Sequence, residues 1–410
     1  MKTTTFVAAL LACCIVGLPT RTLAQQAVNF AAVLESARKN NPDWRAAEQE
    51  VEIARGKLTT ARLLMPFNPL LHGEGGPRNI PGEGNHADYS VGLSMELEVA
   101  GQRGLRIVES ERNLQRAEAT YTDFARTFTA KLARAFYQAL LARERLALLR
   151  RVEDLNRRLL DVTKIRFQAG DVSGLETNVA AVRYGRARKD ALDGQRELTQ
   201  ALLELRRLAG LEELITPTGE LPVVYSPPSP AELLARARAN RPDLSAKLRE
   251  LERAEAEIAL RKRETFPNPS AGISFRREGT GDKIVMGSLA IPLPIFNRRQ
   301  GELASLEARR IQARAELVGL EKEIRKEVDQ VLNQFAIALE SFQLFQREII
   351  ERTEENFKLL EAAYRERKID FPQALIMEND LIAANLSYLD TSLALREAAI
   401  KLQEVAGEVQ

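Results

Sequence analysis

Between Tyr89 and Val99 the chain alternates. Tyr89, Val91, Leu93, Met95, Leu97 and Val99 are apolar, and Ser90, Gly92, Ser94, Glu96 and Glu98 between them are small or acidic. A period of two sustained over this length predicts a β-strand with one apolar and one polar face. The pattern returns later. Ala271, Ile273 and Phe275 alternate with Ser270, Gly272, Ser274 and Arg276, and Val285, Leu289, Ile291, Leu293 and Ile295 fall on one face of the stretch that follows. A weaker strand is predicted at Leu70–Gly75, joined to Asp88–Val99 by a loop rich in Gly, Pro and Asn. A bilayer-spanning strand needs ~9–11 residues, so one face of these stretches suits hydrocarbon and the other suits water. The alternative is a half-buried soluble sheet. Four strands do not close a barrel, and an open edge does not stand in lipid. Several protomers must therefore contribute, and three would supply ~12 strands, an even number within the known range.

The rest of the chain reads as helix. A helix begins near Val33, is broken at Asn41-Pro42, where proline lacks an amide, and resumes from Asp43 to about Leu64. Arg103 to Phe167 contains no proline and would reach roughly 100 Å at the helical rise. Gly170, Ser173 and Gly174 mark a turn, and a last helix runs from Leu175 to Leu208, stopped by Gly210. The same order recurs, with helices near Pro230–Glu264, Gln300–Arg365 and Pro372–Val405. Leu148, Val152, Leu155, Leu159 and Val162 are spaced alternately four and three. Leu317, Leu320, Ile324, Val328, Val331, Phe335, Phe342 and Phe345 repeat the style. Such spacing makes coiled-coil seams between charged flanks.

The recurrence is an internal repeat. Asn41-Pro42-Asp43 returns as Arg241-Pro242-Asp243, Asn68-Pro69 as Asn268-Pro269, and Ala209-Gly210 as Ala406-Gly407. The domains expected are a first repeat over 25–215, a Pro-rich connector over 216–230 and a second repeat over 231–410. The fold class expected is mainly α with a small β part: long antiparallel coiled-coil helices plus four membrane β-strands per protomer, joined into a trimeric α/β barrel.

Composition adds a compartment. Lys2, the apolar run Phe6–Leu18 and Thr22-Leu23-Ala24 form an export signal, residues 1–24, cleaved after Ala24. Both cysteines, Cys13 and Cys14, lie inside it. They are either apolar leader residues or, with Leu10-Leu11-Ala12-Cys13, a lipoprotein box. Lys+Arg number 59 against 57 Asp+Glu, so no basic excess argues for nucleic acid.

No catalytic constellation is visible. His72 and His86 lack a partner at metal-ligand spacing, the methionines are scattered, and Val99-Ala100-Gly101-Gln102-Arg103-Gly104 is not a phosphate loop. No enzyme activity, cofactor or metal site is expected.

The leader, the duplicated order of helix, strand pair and long helix pair, and the Asn-Pro joints resemble the outer-membrane factor (TolC-like) family of efflux and secretion ducts. Glu96-Leu97-Glu98-Val99-Ala100-Gly101-Gln102-Arg103, with Ile295-Phe296-Asn297-Arg298-Arg299 as its counterpart, resembles the strand-to-helix corner of the heavy-metal-efflux branch. The resemblance implies a homotrimer in the outer membrane, continued by a helical tunnel in the periplasm. It also implies an adaptor (membrane fusion) protein and an inner-membrane pump of the resistance-nodulation-division type as partners. Outer-membrane lipids surround the strands, with Tyr89, Val91, Leu93, Met95, Leu97, Val99, Ile273, Phe275, Leu289, Ile291 and Leu293 on the membrane face. The adaptor would meet two tips. One is Gly170, Asp171, Val172 and Ser173. The other includes Tyr364, Arg365, Arg367, Lys368 and Asp370, with Arg367 where a glycine is common. The acidic ring some members carry has Gln373 and Ile376 in its place, with Glu378 beyond. Heavy-metal cations are the cargo implied by the branch, with organic drugs or secreted polypeptides as the alternatives. A periplasmic adaptor and a coiled-coil structural protein are the readings from other classes.

Overall fold

The computed structural model describes residues 27–82, 84–213, 215–221, 226–279, 281–344 and 352–408. The leader, with Cys13 and Cys14, and Phe345 lie outside the described residues. Two short strands, β1 (Ala27–Val28) and β4 (Thr216–Pro217), pair in parallel. Helix α1 (Phe30–Asn40) is capped by Asn29, whose side chain accepts from Ala32 N–H. Asn41 is extended and caps α2 (Pro42–Ala61), accepting from Asp43 and Trp44 N–H. Proline thus stands at the start of a helix, where its missing amide costs nothing. Strands β2 (Leu70–Ile80) and β3 (Gly84–Glu96) lead into α3 (Gln102–Gln168), 67 residues long. Helix α4 (Gly174–Ala209) returns along it. The second half repeats the order with α5 (Pro230–Asn240), α6 (Pro242–Arg263), β5 (Ser270–Arg277), β6 (Lys283–Ala290), α7 (Gln300–Leu344), α8 (Thr353–Arg365) and α9 (Phe371–Ala406). The expected helix Gln300–Arg365 is therefore described as α7 and α8, and residues 345–351 between them lie outside the described residues.

The repeat is visible in the packing. Val33, Ala37, Leu205 and Leu208 form one buried cluster with Phe128, Leu132 and Phe136 of α3. Leu233, Ala237, Leu402 and Val405 form another with Ile324, Val328, Val331 and Phe335 of α7. Each repeat ends on a left-handed glycine seated on the break between its first two helices. A Cβ on Gly210 would stand 2.8 Å from Asn41 N, and one on Gly407 2.7 Å from Asn240 C. Only glycine lets α4 and α9 stop this close to the α1–α2 and α5–α6 breaks. A third cluster fills the far half of the bundle, where Leu148, Val152, Leu155 and Leu159 of α3 meet Phe357, Leu360 and Tyr364 of α8 and Phe371 and Ala374 of α9.

The connector straps the long helices. Arg143 of α3 donates to Pro217 O at 2.5 Å, and Arg396 of α9 donates to Leu221 O and Glu220 O, both at 3.0 Å. An ionic belt joins the repeats nearby. Arg126, 5% exposed, pairs with Asp123 at 2.6 Å and donates to Glu404 O. Arg134 pairs with Glu404, and Arg241 with Asp243 and Glu327.

Candidate functional sites: the membrane sheet and the hairpin tips

The four long strands form one antiparallel sheet in the order β2-β3-β5-β6. The register sets Leu93 opposite Ile273, Val91 opposite Phe275, Phe275 opposite Val285, and Ala271 opposite Leu289. Directly opposed residues share a face, so Tyr89, Val91, Leu93, Ile273, Phe275, Val285 and Leu289 form one exposed apolar surface. Ser90, Gly92, Ser94, Gly272 and Ser274 line the more covered opposite face. Apolar side chains out and small polar ones in is the arrangement of a lipid-facing barrel wall. Strands β2 and β6 stand at the edges, each hydrogen-bonded on one side only within the protomer.

Four of the expected membrane-face residues lie outside the strands. β3 ends at Glu96, so Leu97 and Val99 belong to the exit toward α3, although Leu97 N–H still donates to Pro269 O at 2.9 Å. The chain then turns through left-handed Gly101. Ile291 and Leu293 follow β6, where Pro292 and Pro294 have no amide to continue the ladder. At the other end the weak expectation fell short: β2 runs 11 residues, to Ile80.

Polar side chains fix the sheet to the helices. Gln102 Nε2 donates to Asn268 Oδ1 at 2.8 Å, and Asn268 Nδ2 donates to Glu96 Oε1 at 2.8 Å. Arg106 pairs with Glu98 and donates to Ala61 O at 3.2 Å. In the second repeat Arg299 bridges Glu264 and Glu302 at 3.1 and 3.2 Å. The roles of Gln102, Arg106 and Asn268 were not read from the sequence. The recurrence of Asn-Pro at 68 and 268 was the available signal.

Far from the sheet, α3–α4 and α8–α9 each end in a turn of the same construction. Asp171 N–H donates to Arg166 O and Lys368 N–H to Ala363 O, both at 2.9 Å. The residue before each is left-handed: Gly170 at φ 79° and Arg367 at φ 60°. Arg367 therefore adopts the backbone a glycine takes without strain, at a cost of about 1 kcal/mol. Its guanidinium pairs with Asp171 of the first tip. Ser173 caps α4 through Glu176 N–H, and Asp370 caps α9 through Gln373 N–H in a reciprocal box. Lys368 pairs with Glu366 at 2.7 Å, and that hydrogen bond holds the Glu366 carboxyl below its usual range. Gly170, Asp171, Ser173, Arg365, Arg367, Lys368 and Asp370 are exposed and Val172 is half-buried.

Tyr364 is different. It is fully buried. Its hydroxyl lies 3.0 Å from Thr163 Oγ1 of α3, its ring is 5.7 Å from that of Phe371, and the Arg166 guanidinium sits 5.0 Å over it. Its side chain is thus a contact between the hairpins and not a surface for a partner. Glu378, one face of α9 further in, is also buried. Burial raises its carboxyl above the usual range, against a hydrogen bond from Asn156 and the charge of Arg183.

Among the described residues no helix is long and apolar enough to cross a membrane, and no three His, Cys, Asp or Glu side chains gather to hold a metal ion.

Comparison with known proteins agrees with this geometry. A family model described as outer membrane efflux protein matches residues 33–211 and 233–408. The cobalt-zinc-cadmium resistance protein CzcC of Cupriavidus metallidurans is 25% identical over 386 residues, covering 93% of this chain and 90% of that one. The nickel-cobalt-cadmium resistance protein NccC of Alcaligenes xylosoxydans xylosoxydans is 25% identical over 313 residues, covering 73% and 68%. The fold is shared with CusC, solved in work on transmembrane channel formation, at a TM-score of 0.73, with 20% identity and 92% of each chain covered.

Proposed function

The chain belongs to the outer membrane efflux protein family, and from that premise we propose that three copies form a passive conduit for heavy-metal cations. The observation that carries the reading is the four-stranded sheet, apolar on its exposed face and open at both edges, standing on helices up to 67 residues long. Lipid does not tolerate an open edge. Pairing β6 of one copy with β2 of the next closes a ring, and three copies give ~12 strands. α3 then extends the path for roughly 100 Å into the periplasm. The conduit makes and breaks no bond; an inner-membrane pump of the resistance-nodulation-division type supplies the energy through a periplasmic adaptor. The exposed tip residues Gly170, Asp171, Ser173, Arg365, Arg367, Lys368 and Asp370, with half-buried Val172 between them, are the adaptor contacts in this reading. Tyr364 and the Arg367–Asp171 pair hold the second hairpin against the first, and opening moves α8 and α9 away from α3. A leader over 1–24 and two repeats flanking a connector at 216–230 complete the layout.

The metal cargo rests on the names of two relatives, a cobalt-zinc-cadmium and a nickel-cobalt-cadmium resistance protein. The test is growth of a strain lacking the gene on zinc, cobalt, cadmium, nickel, copper and silver salts beside dyes and antibiotics. Selective metal sensitivity, restored by the intact gene, is expected. Sensitivity to organic compounds alone would assign the conduit to multidrug efflux, and loss of a secreted polypeptide would assign it to secretion.

A further inference from the structure

Glu378 is an acid with nowhere to place its charge. It is 2% exposed, and Asn156, its partner across the α3–α9 contact, is 3% exposed. Asn156 Nδ2 donates to Glu378 Oε1, while Oε2 is buried with no hydrogen-bond partner. Ala374 one turn before it and Leu381 and Ile382 one turn after it belong to the apolar cluster of the far half of the bundle. The carboxyl therefore sits in a mostly apolar seam whose buried polar neighbours on α3, Asn156 and Thr163, are neutral. An ionised carboxylate in such a place is far more costly than a neutral acid with one unused donor.

Few charges face it. From α4 comes Arg183, whose Nη2 is occupied by Asn379 Oδ1 at 3.1 Å. From α3 comes neutral Asn156. Arg158 of α3 and Glu361 of α8 satisfy each other at 2.7 Å on the more exposed side of that contact. Tyr364 of α8 turns its hydroxyl to Thr163. On α9 itself Asp380 is exposed.

We propose that Glu378 is a proton-binding site that couples the packing of the second hairpin on α3 to pH. The neutral acid fills the seam while α8 and α9 lie against α3. When they part, water reaches the carboxyl, the O–H bond breaks, the proton passes to solvent and the carboxylate is hydrated. The packed state then holds more protons than the parted one, so acid favours closure and rising pH favours opening. The raised pKa of the packed state has the same sign. This proposal rests on the reading of the second hairpin as the moving part.

The test is single-channel recording of the purified protein in planar bilayers from pH 5 to pH 8, wild type against Glu378→Gln. Glutamine keeps the shape and an acceptor for Asn156 but does not titrate. The expected result is a wild-type opening frequency that rises with pH, by up to about tenfold per pH unit for each proton released, and a flat, low frequency for the variant. The same pH dependence in both proteins, or none in the wild type, overturns the proposal. A wild type that gives no currents at all counts against the conduit itself. Isotope-edited infrared spectra of the same protein then decide the proton site: a carboxylic-acid band at neutral pH that disappears in Glu378→Gln supports it, and its absence overturns it.

Discussion

Replacing Tyr364 should loosen the tip in two graded steps. Thr163 Oγ1 lies 2.7 Å from Leu159 O and spends its own proton there, so the tyrosine hydroxyl is the donor in the 3.0 Å contact between them. Tyr364→Phe removes that donor and leaves Thr163 satisfied. The loss is that of one ordinary buried hydrogen bond, about 1 kcal/mol, or about fivefold in the packed-to-parted ratio of each copy. Tyr364→Ala also empties a fully buried ring site and forfeits the contacts with Phe371 and Arg166. Ring-to-alanine changes in cores cost about 3–5 kcal/mol, enough to favour the parted state. The assay is opening frequency in planar bilayers, with the thermal midpoint and oligomer size measured alongside. Wild type, Phe and Ala should open increasingly often in that order while the assembly stays intact. If the alanine variant lowers the midpoint but opens no more often than wild type, Tyr364 is part of a static core and the second hairpin is not the moving part.

Other outcomes follow from the same geometry. Reversing Arg367 to Asp should raise opening, and adding Asp171→Arg should restore part of the closure; additive effects would deny the ion pair a role. Ile273→Arg on the exposed face of β5 should cost ~2–4 kcal/mol in the bilayer and deplete the outer-membrane fraction, whereas Ser274→Arg on the covered face should be tolerated, as fractionation and blotting would reveal. Gly210→Ala places a methyl 2.8 Å from backbone at a left-handed position and should lower the thermal midpoint sharply, while Gly185→Ala, with open space around it, should not. Acid should weaken the belt. Burial would raise the Asp243 and Glu404 carboxyls, but Arg241 and Arg134 respectively outweigh it and hold both below the usual range. Their contribution is complete above the unfolded carboxylate values and is lost as pH falls through the folded ones. The thermal midpoint should therefore drop below about pH 4, and less steeply in Glu404→Gln. Glu378 has the opposite sign, so Glu378→Gln should raise the midpoint at neutral pH.

The long elements were legible because their patterns are long. A prolineless run predicted α3 to within a residue at each end, and the alternation at Tyr89–Leu93 and Ala271–Phe275 predicted the exposed apolar face of the sheet, with Met95 at its end half-buried. What failed did so at ends and corners, where one residue overrides a pattern. The alternation continues through Leu97 and Val99, but the chain needs those residues to swing into α3. It continues through Ile291 and Leu293, but the two prolines between and after them cannot donate. Loop composition concealed β2 beyond Gly75: Gly76, Pro77 and Asn79 read as a turn, yet they pair with Asp88, Ala87 and Asn85. At the tips the turn at Gly170 was readable. Its equivalent at Arg367 was not, because an arginine in a left-handed turn is held there by a partner, Asp171, that lies 196 residues away. The burial of Tyr364 and Glu378 depends likewise on contacts with α3 that no local pattern records.

In the proposed function the protein becomes a conduit only as a closed ring of copies. Electron cryomicroscopy of the complex extracted from outer membranes in mild detergent tests this directly. Threefold symmetry is expected, with β6 of each copy paired to β2 of the next and a continuous helical tube running roughly 100 Å from the barrel. A monomer with free sheet edges, or an assembly whose strands face one another across a dry interior, would contradict it.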